Sequence, residues 1–271
     1  MIPGKWGAMR PGRWLTSAAM TLAHDVAGEG PAVLLLHSTV VDRRMWDPQV
    51  PALVAAGFRA IRCDLNGFGE SPMPTGLHND ADDVLATLSS LTVDDFAIVG
   101  ASGGGRVALE IAARRPARVS ALLLLCTAMA GFERGPELRA FGEREDALLE
   151  AGDLDGAAEL NAVQWLGPEA DQKTHAAVRM MQRHVFDVQW GVDEEPEQRT
   201  YEYDLAEVTA RTLLVTGAHD LPDFRRIADD LASVLPGAKR LELPWAGHLP
   251  SMERPDLLNP LMLDFLAASS A

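Results

Sequence analysis

The chain has 271 residues, with 24 Lys and Arg against 39 Asp and Glu, a formal charge of −15; 47% of residues are hydrophobic and 23% charged. That is a globular composition, with apolar material for one large α/β domain or two small ones. The acidic balance argues against binding a phosphate backbone, which needs clustered Lys and Arg to displace counterions, and against docking on anionic lipid. No apolar run reaches the roughly 18–20 residues of a bilayer span. The stretch Trp14 to Ala23 is broken by Thr16, Ser17 and Thr21, so even with Lys5, Arg10 and Arg13 before it, it makes a poor secretory signal. Two cysteines, Cys63 and Cys126, are too few for a disulfide framework, and a reduced, cytoplasmic protein is expected.

Residues 1–13, rich in Gly, Pro and basic side chains, read as a loose leader. Leu22 to Val26 is a short strand closed by Gly28-Glu29-Gly30-Pro31. Ala32 to Leu36 is a continuous apolar run, as expected of a parallel strand covered on both faces. Trp46 to Ala56 has helical spacing and Phe58 to Cys63 reads as strand. Ala81 to Leu91 is helix, Phe96 to Val99 strand, Gly103 to Arg114 helix and Val119 to Leu125 strand. After a long gap come strand Thr212 to Thr216, helix Asp223 to Val234, strand Arg240 to Leu243 and helix Asp256 to Ala268. Strand and helix alternating through short loops means a mostly parallel sheet covered by helices.

The gap, residues 131–205, interrupts a core formed by 14–130 and 206–271. It shows helical patterns at Leu138 to Glu150 and Ala176 to Val188 but no strand, and its 18 acidic and 7 basic residues give a net charge of −11. Helices inserted between two parallel strands project beyond the strands' carboxyl ends, where ligands bind. The segment is therefore expected to be a helical cap lining a pocket, the alternative being a solvated decoration. Trp165, Met181 and His184, with Phe132 and Met180, have spacings suited to a helix face. Such stripes serve as core as well as pocket. Asp193-Glu194-Glu195 beside Pro196 reads as a solvated loop, without the His or Cys neighbours of a zinc site.

The chemistry begins at Gly100-Ala101-Ser102-Gly103-Gly104, a G-x-S-x-G placed between an apolar strand and a helix. A nucleophile at the tip of such a turn needs flanking glycines because side chains there collide. The spacing alone is common; its strand-to-helix context carries the information. A serine needs a base, and His248, in the loop after the last strand, is placed for it; His219 is its rival. An imidazole base needs an orienting carboxylate, for which Asp220 follows the preceding strand, with Asp223 as substitute. Donors for an oxyanion would be the backbone N–H of Gly103, at a helix N-terminus, and that of Thr39, with Ser38 as the alternative. Arg106 is either a carboxylate clamp or a tie holding the elbow helix. No nucleotide-binding glycine loop is present in the sequence.

These residues resemble the α/β-hydrolase superfamily over roughly residues 20–270. His37 after the apolar strand, Asp64-Leu65-Asn66-Gly67-Phe68-Gly69-Glu70-Ser71, the serine elbow, Gly217 to Asp220 and Gly247-His248 all match its motifs. The resemblance implies an eight-stranded, mostly parallel sheet with helices on both faces and a helical cap after the sixth strand. Cys63 and Cys126 would then end strands that are not neighbours and stay free thiols. Ser38 stands where the superfamily usually has glycine, which would reshape the oxyanion site. In this, and in Met45-Trp46-Asp47-Pro48-Gln49, the chain is similar to enol-lactone hydrolases.

The expectation is a serine hydrolase of a small ester or lactone using Ser102, His248 and Asp220, with His37, Trp165, Met181 and His184 lining the substrate site. It would need no cofactor and no metal, and would act on a small molecule as a monomer or homodimer. Carbon–carbon bond cleavage in a β-diketone by the same triad and a non-catalytic ligand receptor are the alternatives.

Overall fold

The structure, a computed structural model, describes residues 21–190 and 196–268. The expected leader at 1–13 and the acidic loop at 193–195 lie outside the described residues. Strands β1 (His24–Ala27), β2 (Ala32–Leu36), β3 (Arg59–Cys63), β4 (Phe96–Ala101), β5 (Val119–Leu125), β6 (Arg211–Gly217) and β7 (Lys239–Leu243) form one sheet in the order β1-β3-β2-β4-β5-β6-β7. Every pairing is parallel except β1 with β3. The eight strands expected are thus seven among the described residues.

Composition places each strand. The runs Val33 to Leu36, Ile98 to Val99 and Ala121 to Leu125 are buried, which suits the middle of a parallel sheet with both faces covered. At the edge, Lys239, Arg240, Leu241 and Glu242 of β7 are exposed, and such charge blunts an open strand edge. Between the strands lie α1 (Gln49–Ala55), α2 (Asp80–Ser90) and α3 (Gly103–Arg114), and α4 (Pro136–Glu150), α5 (Leu154–Trp165) and α6 (Gln172–Gln189) stand between β5 and β6. The chain closes with α7 (Pro222–Val234), the one-turn α8 (Pro250–Glu253) and α9 (Pro255–Ala267). The expected helix from Trp46 is split. A 3-10 turn at Arg43–Trp46, capped by Asp42, stops before Pro48, which stands as N-cap of α1.

Helix α5 had no counterpart among the sequence expectations. Its Ala, Gly and Asn content blurs the apolar stripe, and it is set by Asp153, whose side chain caps Gly156 N–H at 2.9 Å. Leu149, Ala157, Ala158 and Phe186, from α4, α5 and α6, form a small apolar cluster separate from the main core. Helix α6 is tied to the turn after β3: Gln189 Nε2 donates to Gly67 O at 3.0 Å, and His184 Nε2 lies 2.9 Å from Gly69 O. Both cysteines are buried and free, at the ends of β3 and β5 with two strands between them. Among the described residues, no helix is long and apolar enough to cross a membrane.

Candidate active site

In a parallel sheet all carboxyl ends lie on one edge, and here backbone hydrogen bonds continue across that edge beyond the strands. Ser102 N–H donates to Leu125 O at 3.0 Å, Cys126 N–H to Val215 O at 2.8 Å, Ala218 N–H to Leu243 O at 3.0 Å and His219 N–H to Ala246 O at 2.9 Å. The loops after β4, β5, β6 and β7 are thereby lashed side by side. Ser102, Cys126, Asp220 and His248 stand in those four loops, one in each.

Ser102 occupies φ 50°, ψ −117°, a region a non-glycine residue enters at a cost of about 1–3 kcal/mol. What holds it there is close packing on both sides. A Cβ at Gly104 would lie 2.4 Å from His37 O and 2.5 Å from Leu36 O; one at Gly100 would lie 2.9 Å from Gly104 O. The absent side chains let α3 start directly against β2 and β4, and Gly104 N–H donates to His37 O at 3.1 Å.

His248 Nδ1 is 2.7 Å from Asp220 Oδ2. A carboxylate only accepts, so Nδ1 carries the proton and Nε2 is the basic nitrogen. Asp220 Oδ1 accepts the N–H of Leu221 at 2.7 Å, which fixes the carboxylate plane. The three residues are all nearly closed off, at 6% exposure for Ser102, 6% for Asp220 and 2% for His248. Aromatic rings pack the imidazole: Phe224 lies 4.2 Å and Trp165 4.7 Å from it, centroid to centroid. Phe141 in turn packs edge-on against Trp165. The rival base His219 is exposed, and Asp223 is not at the imidazole. Its buried Oδ1 accepts from Gly135 N–H at 2.5 Å and from Arg226 at 3.0 Å.

The loop after β2 faces the elbow. A Cβ at Gly103 would lie 2.4 Å from Thr39 Cγ2, so the two residues touch. Neither the Gly103 nor the Thr39 N–H donates to an acceptor among the described residues, whereas Ser38 N–H is 3.3 Å from Met45 Sδ. The loop is pinned by His37, whose Nδ1 donates to Ser38 O at 2.9 Å and whose Nε2 accepts from Leu65 N–H at 2.9 Å. Burial pushes the His37 pKa down and keeps the ring neutral. Leu65 belongs to the glycine turn, where Asp64 Oδ1 accepts Arg43 N–H at 2.8 Å and Oδ2 accepts Glu70 N–H at 2.9 Å. A Cβ at Gly69, whose φ is 52°, would strike that carboxylate.

Two of the expected pocket residues have ring nitrogens engaged by backbone. His37 is fully buried with both of its ring nitrogens so used. His184 is exposed and tethers α6 to the glycine turn. Met181 is buried in the core and Trp165 packs on the imidazole, while Met180 is 55% exposed. Arg106 lies 3.9 Å from Asp80 of α2, which makes it a tie between helices.

Sequence reasoning passed over Glu253, a buried carboxylate that accepts Gly247 N–H at 2.9 Å and Leu249 N–H at 3.0 Å, on either side of His248. Its only signal in the sequence was an acid within one helical turn of the His248 loop. As for metal binding, donor atoms of Cys126, Asp220 and His248 lie within 4.8 Å of one another. The Cys126 thiol, pushed well up by burial and the Asp220 charge, stays protonated and faces Gly247 O at 3.6 Å. Within the trio, His248 and Asp220 are already hydrogen-bonded to each other.

The chain resembles known proteins along most of its length. The chain is 30% identical over 274 residues to the AB hydrolase superfamily protein YisY of Bacillus subtilis, covering 92% of this chain and 97% of that one. A thermophilic esterase from Thermogutta terrifontis superposes with a TM-score of 0.74 at 26% identity, over 92% of this chain and 94% of that one. Est816, described as an N-acyl homoserine lactone degrading enzyme, gives 0.72 at 25% identity, over 90% and 96%. The profile of the alpha/beta hydrolase family matches residues 33–261, and the chain belongs to that family.

Proposed function

We propose that this hydrolase cleaves a small, mostly apolar carboxylic ester or lactone through an acyl-enzyme on Ser102. The observation that carries the reading is the buried His248–Asp220 pair at 2.7 Å, at the sheet edge where Ser102 stands at an elbow with φ 50°. Ser102 Oγ attacks the carbonyl carbon and its proton passes to His248 Nε2. The tetrahedral oxyanion is held by the N–H groups of Gly103 and Thr39. Collapse breaks the carbon–oxygen bond to the leaving alcohol, which takes the proton from His248. In a lactone that alcohol stays attached to the acyl group. A water then gives its proton to His248 as it attacks the acyl-enzyme, and the acid leaves with Ser102 restored. Asp220 holds the Nδ1–H tautomer and stabilises the imidazolium.

In this reading α4, α5 and α6 form a cap over the site. The near-complete burial of Ser102 and the rings of Trp165 and Phe224 beside His248 support an apolar acyl or lactone group enclosed beneath it. The esterase and lactone-degrading likenesses point the same way. The test is a panel of p-nitrophenyl esters and lactones with wild type and Ser102→Ala, together with labelling by a fluorophosphonate. Turnover and labelling are expected in the wild type and neither in the variant, with both proteins folded. Turnover retained by Ser102→Ala overturns the mechanism; a wild type that neither labels nor turns over is a ligand receptor on the same scaffold.

A further inference from the structure

Glu253 is the last residue of α8, five positions after His248, and only 5% of it is exposed. Burial of a carboxylate is costly unless its lone pairs are filled. Here they are filled from two directions. Gly247 N–H donates to both oxygens, at 3.1 and 2.9 Å, and Leu249 N–H to Oε1 at 3.0 Å. Gly167, two residues beyond the end of α5, packs against the same carboxylate. A Cβ on Gly167 would lie 2.4 Å from Glu253 Oε2 and 2.4 Å from Gly247 N, so the three groups meet in one tight cluster. The same junction is braced by His248 N–H donating to Trp165 O at 2.9 Å.

We propose that Glu253 is a positioning residue for His248: its carboxylate clamps the backbone on both sides of the base to the end of α5, and its negative charge supports the imidazolium. This rests on the proposed role of His248 as base. Burial raises the pKa of Glu253 above the usual carboxylate value, and the backbone N–H donors and the charge of His248 offset part of that rise. The titratable groups facing His248 are Asp220 on the β6 loop, Cys126 on the β5 loop and Glu253 on α8; α5 and α7 present the rings of Trp165 and Phe224. Asp223 of α7 is turned to Gly135 and Arg226. A cap for a four-residue helix would explain the Leu249 bond, but neither the Gly247 bonds on the other side of His248 nor the close approach of Gly167.

The test measures the titration midpoint of the His248 imidazole by proton NMR in wild type and Glu253→Gln, with ester turnover alongside. Removing the negative charge is expected to lower the midpoint. The acid limb of kcat/KM should move down with it, and kcat should fall about tenfold or more with KM within about twofold. A folded Glu253→Gln with an unmoved midpoint and kcat within twofold of wild type overturns the proposal. A second measurement needs no substitution: in the wild type the side-chain carboxyl carbon of Glu253 should show an inflection at the midpoint of His248. A flat response there overturns the proposal even if the variant does not fold. Because both midpoints are read without substrate, they stand apart from the hydrolase reading. If Ser102 fails to label but the midpoint still shifts, the hydrolase reading falls and the electrostatic link between Glu253 and His248 stands.

Discussion

The carbonyl oxygen of Trp165 accepts the backbone N–H of His248 at 2.9 Å, while the two rings lie 4.7 Å apart at 45°. The end of α5 therefore touches His248 through both main chain and side chain. The indole N–H is spent inside the insertion: it donates to Asn161 Oδ1 at 2.8 Å, and Asn161 Nδ2 donates to Glu145 at 2.6 Å. Trp165→Phe keeps a ring against His248 and removes that donor, and is expected to cost about 1–2 kcal/mol of stability with turnover little changed. Trp165→Ala also removes the ring, at about 3–5 kcal/mol, and should lower kcat more than it changes KM. Denaturant unfolding and ester kinetics on the two variants check this. A Trp165→Ala enzyme with wild-type kcat would show that the ring does not steady the base.

Two buried aspartates lie three residues apart, and only one faces the imidazole. Asp220→Asn offers His248 Nδ1 an amide in place of a carboxylate, so the tautomer is no longer fixed. The expected loss is on the order of 10³–10⁴-fold in kcat with the fold retained. Asp223→Asn disturbs the bonds to Gly135 and Arg226 at the start of α4, and should cost about 1–3 kcal/mol while leaving kcat within a few fold. Parallel kinetics and unfolding of the pair separate the roles; equal kinetic losses would mean that the assignment of Asp220 alone is wrong.

The closeness of Gly103 to Thr39 gives a test of the oxyanion site. In Gly103→Ala the new Cβ meets Thr39 Cγ2 at 2.4 Å. A β-branched side chain is stiff, so the loop carrying the second amide has to move. A misplaced donor should lower kcat by about 10²–10³-fold. Thr39→Ser removes the offending methyl and keeps the backbone N–H, so Gly103→Ala with Thr39→Ser should recover much of the loss. Steady-state kinetics on the single and double variants decide it: no recovery would place the second donor elsewhere than Thr39.

Much of the fold was legible in the residues because the signal was local. Ala32–Leu36, Val119–Leu125 and Gly103–Arg114 fall where apolar runs and the glycine elbow put them. The spacing of Ser102, Asp220 and His248 against strand ends was enough to propose their meeting. What sequence did not reveal depends on distant partners. Helix α5 lacks a clean stripe, because it packs against α4 and α6 as well as beside the imidazole. His37 looked like a site residue by position, yet its ring is spent on Ser38 and Leu65, and the latter is 28 positions away. Glu253 drew no expectation from the sequence, because Gly167 meets it only in the fold.

The cysteines give a prediction about alkaline stability. Cys63 at the end of β3 is fully buried, and burial together with the nearby Asp64 charge pushes its thiol from 9.0 up to about 12. The folded chain therefore holds this proton more tightly than the unfolded chain. The contribution to stability is complete below pH 9.0 and is lost as pH rises from there toward 12. Between those limits each such thiol should remove about 1.4 kcal/mol per pH unit. Cys126, raised by burial and the Asp220 charge, acts in the same direction. Cys63→Ala should thus be less stable at pH 7 by about 1–2 kcal/mol, from the cavity it leaves, but lose less with each unit above pH 9. Urea unfolding of wild type and variant at pH 7.5, 9.5 and 10.5, conditions chosen to bracket the window in roughly one-unit steps above its start, reads the slope directly. Identical alkaline slopes in the two proteins would mean that the Cys63 thiol ionises as easily in the folded chain as in the unfolded one.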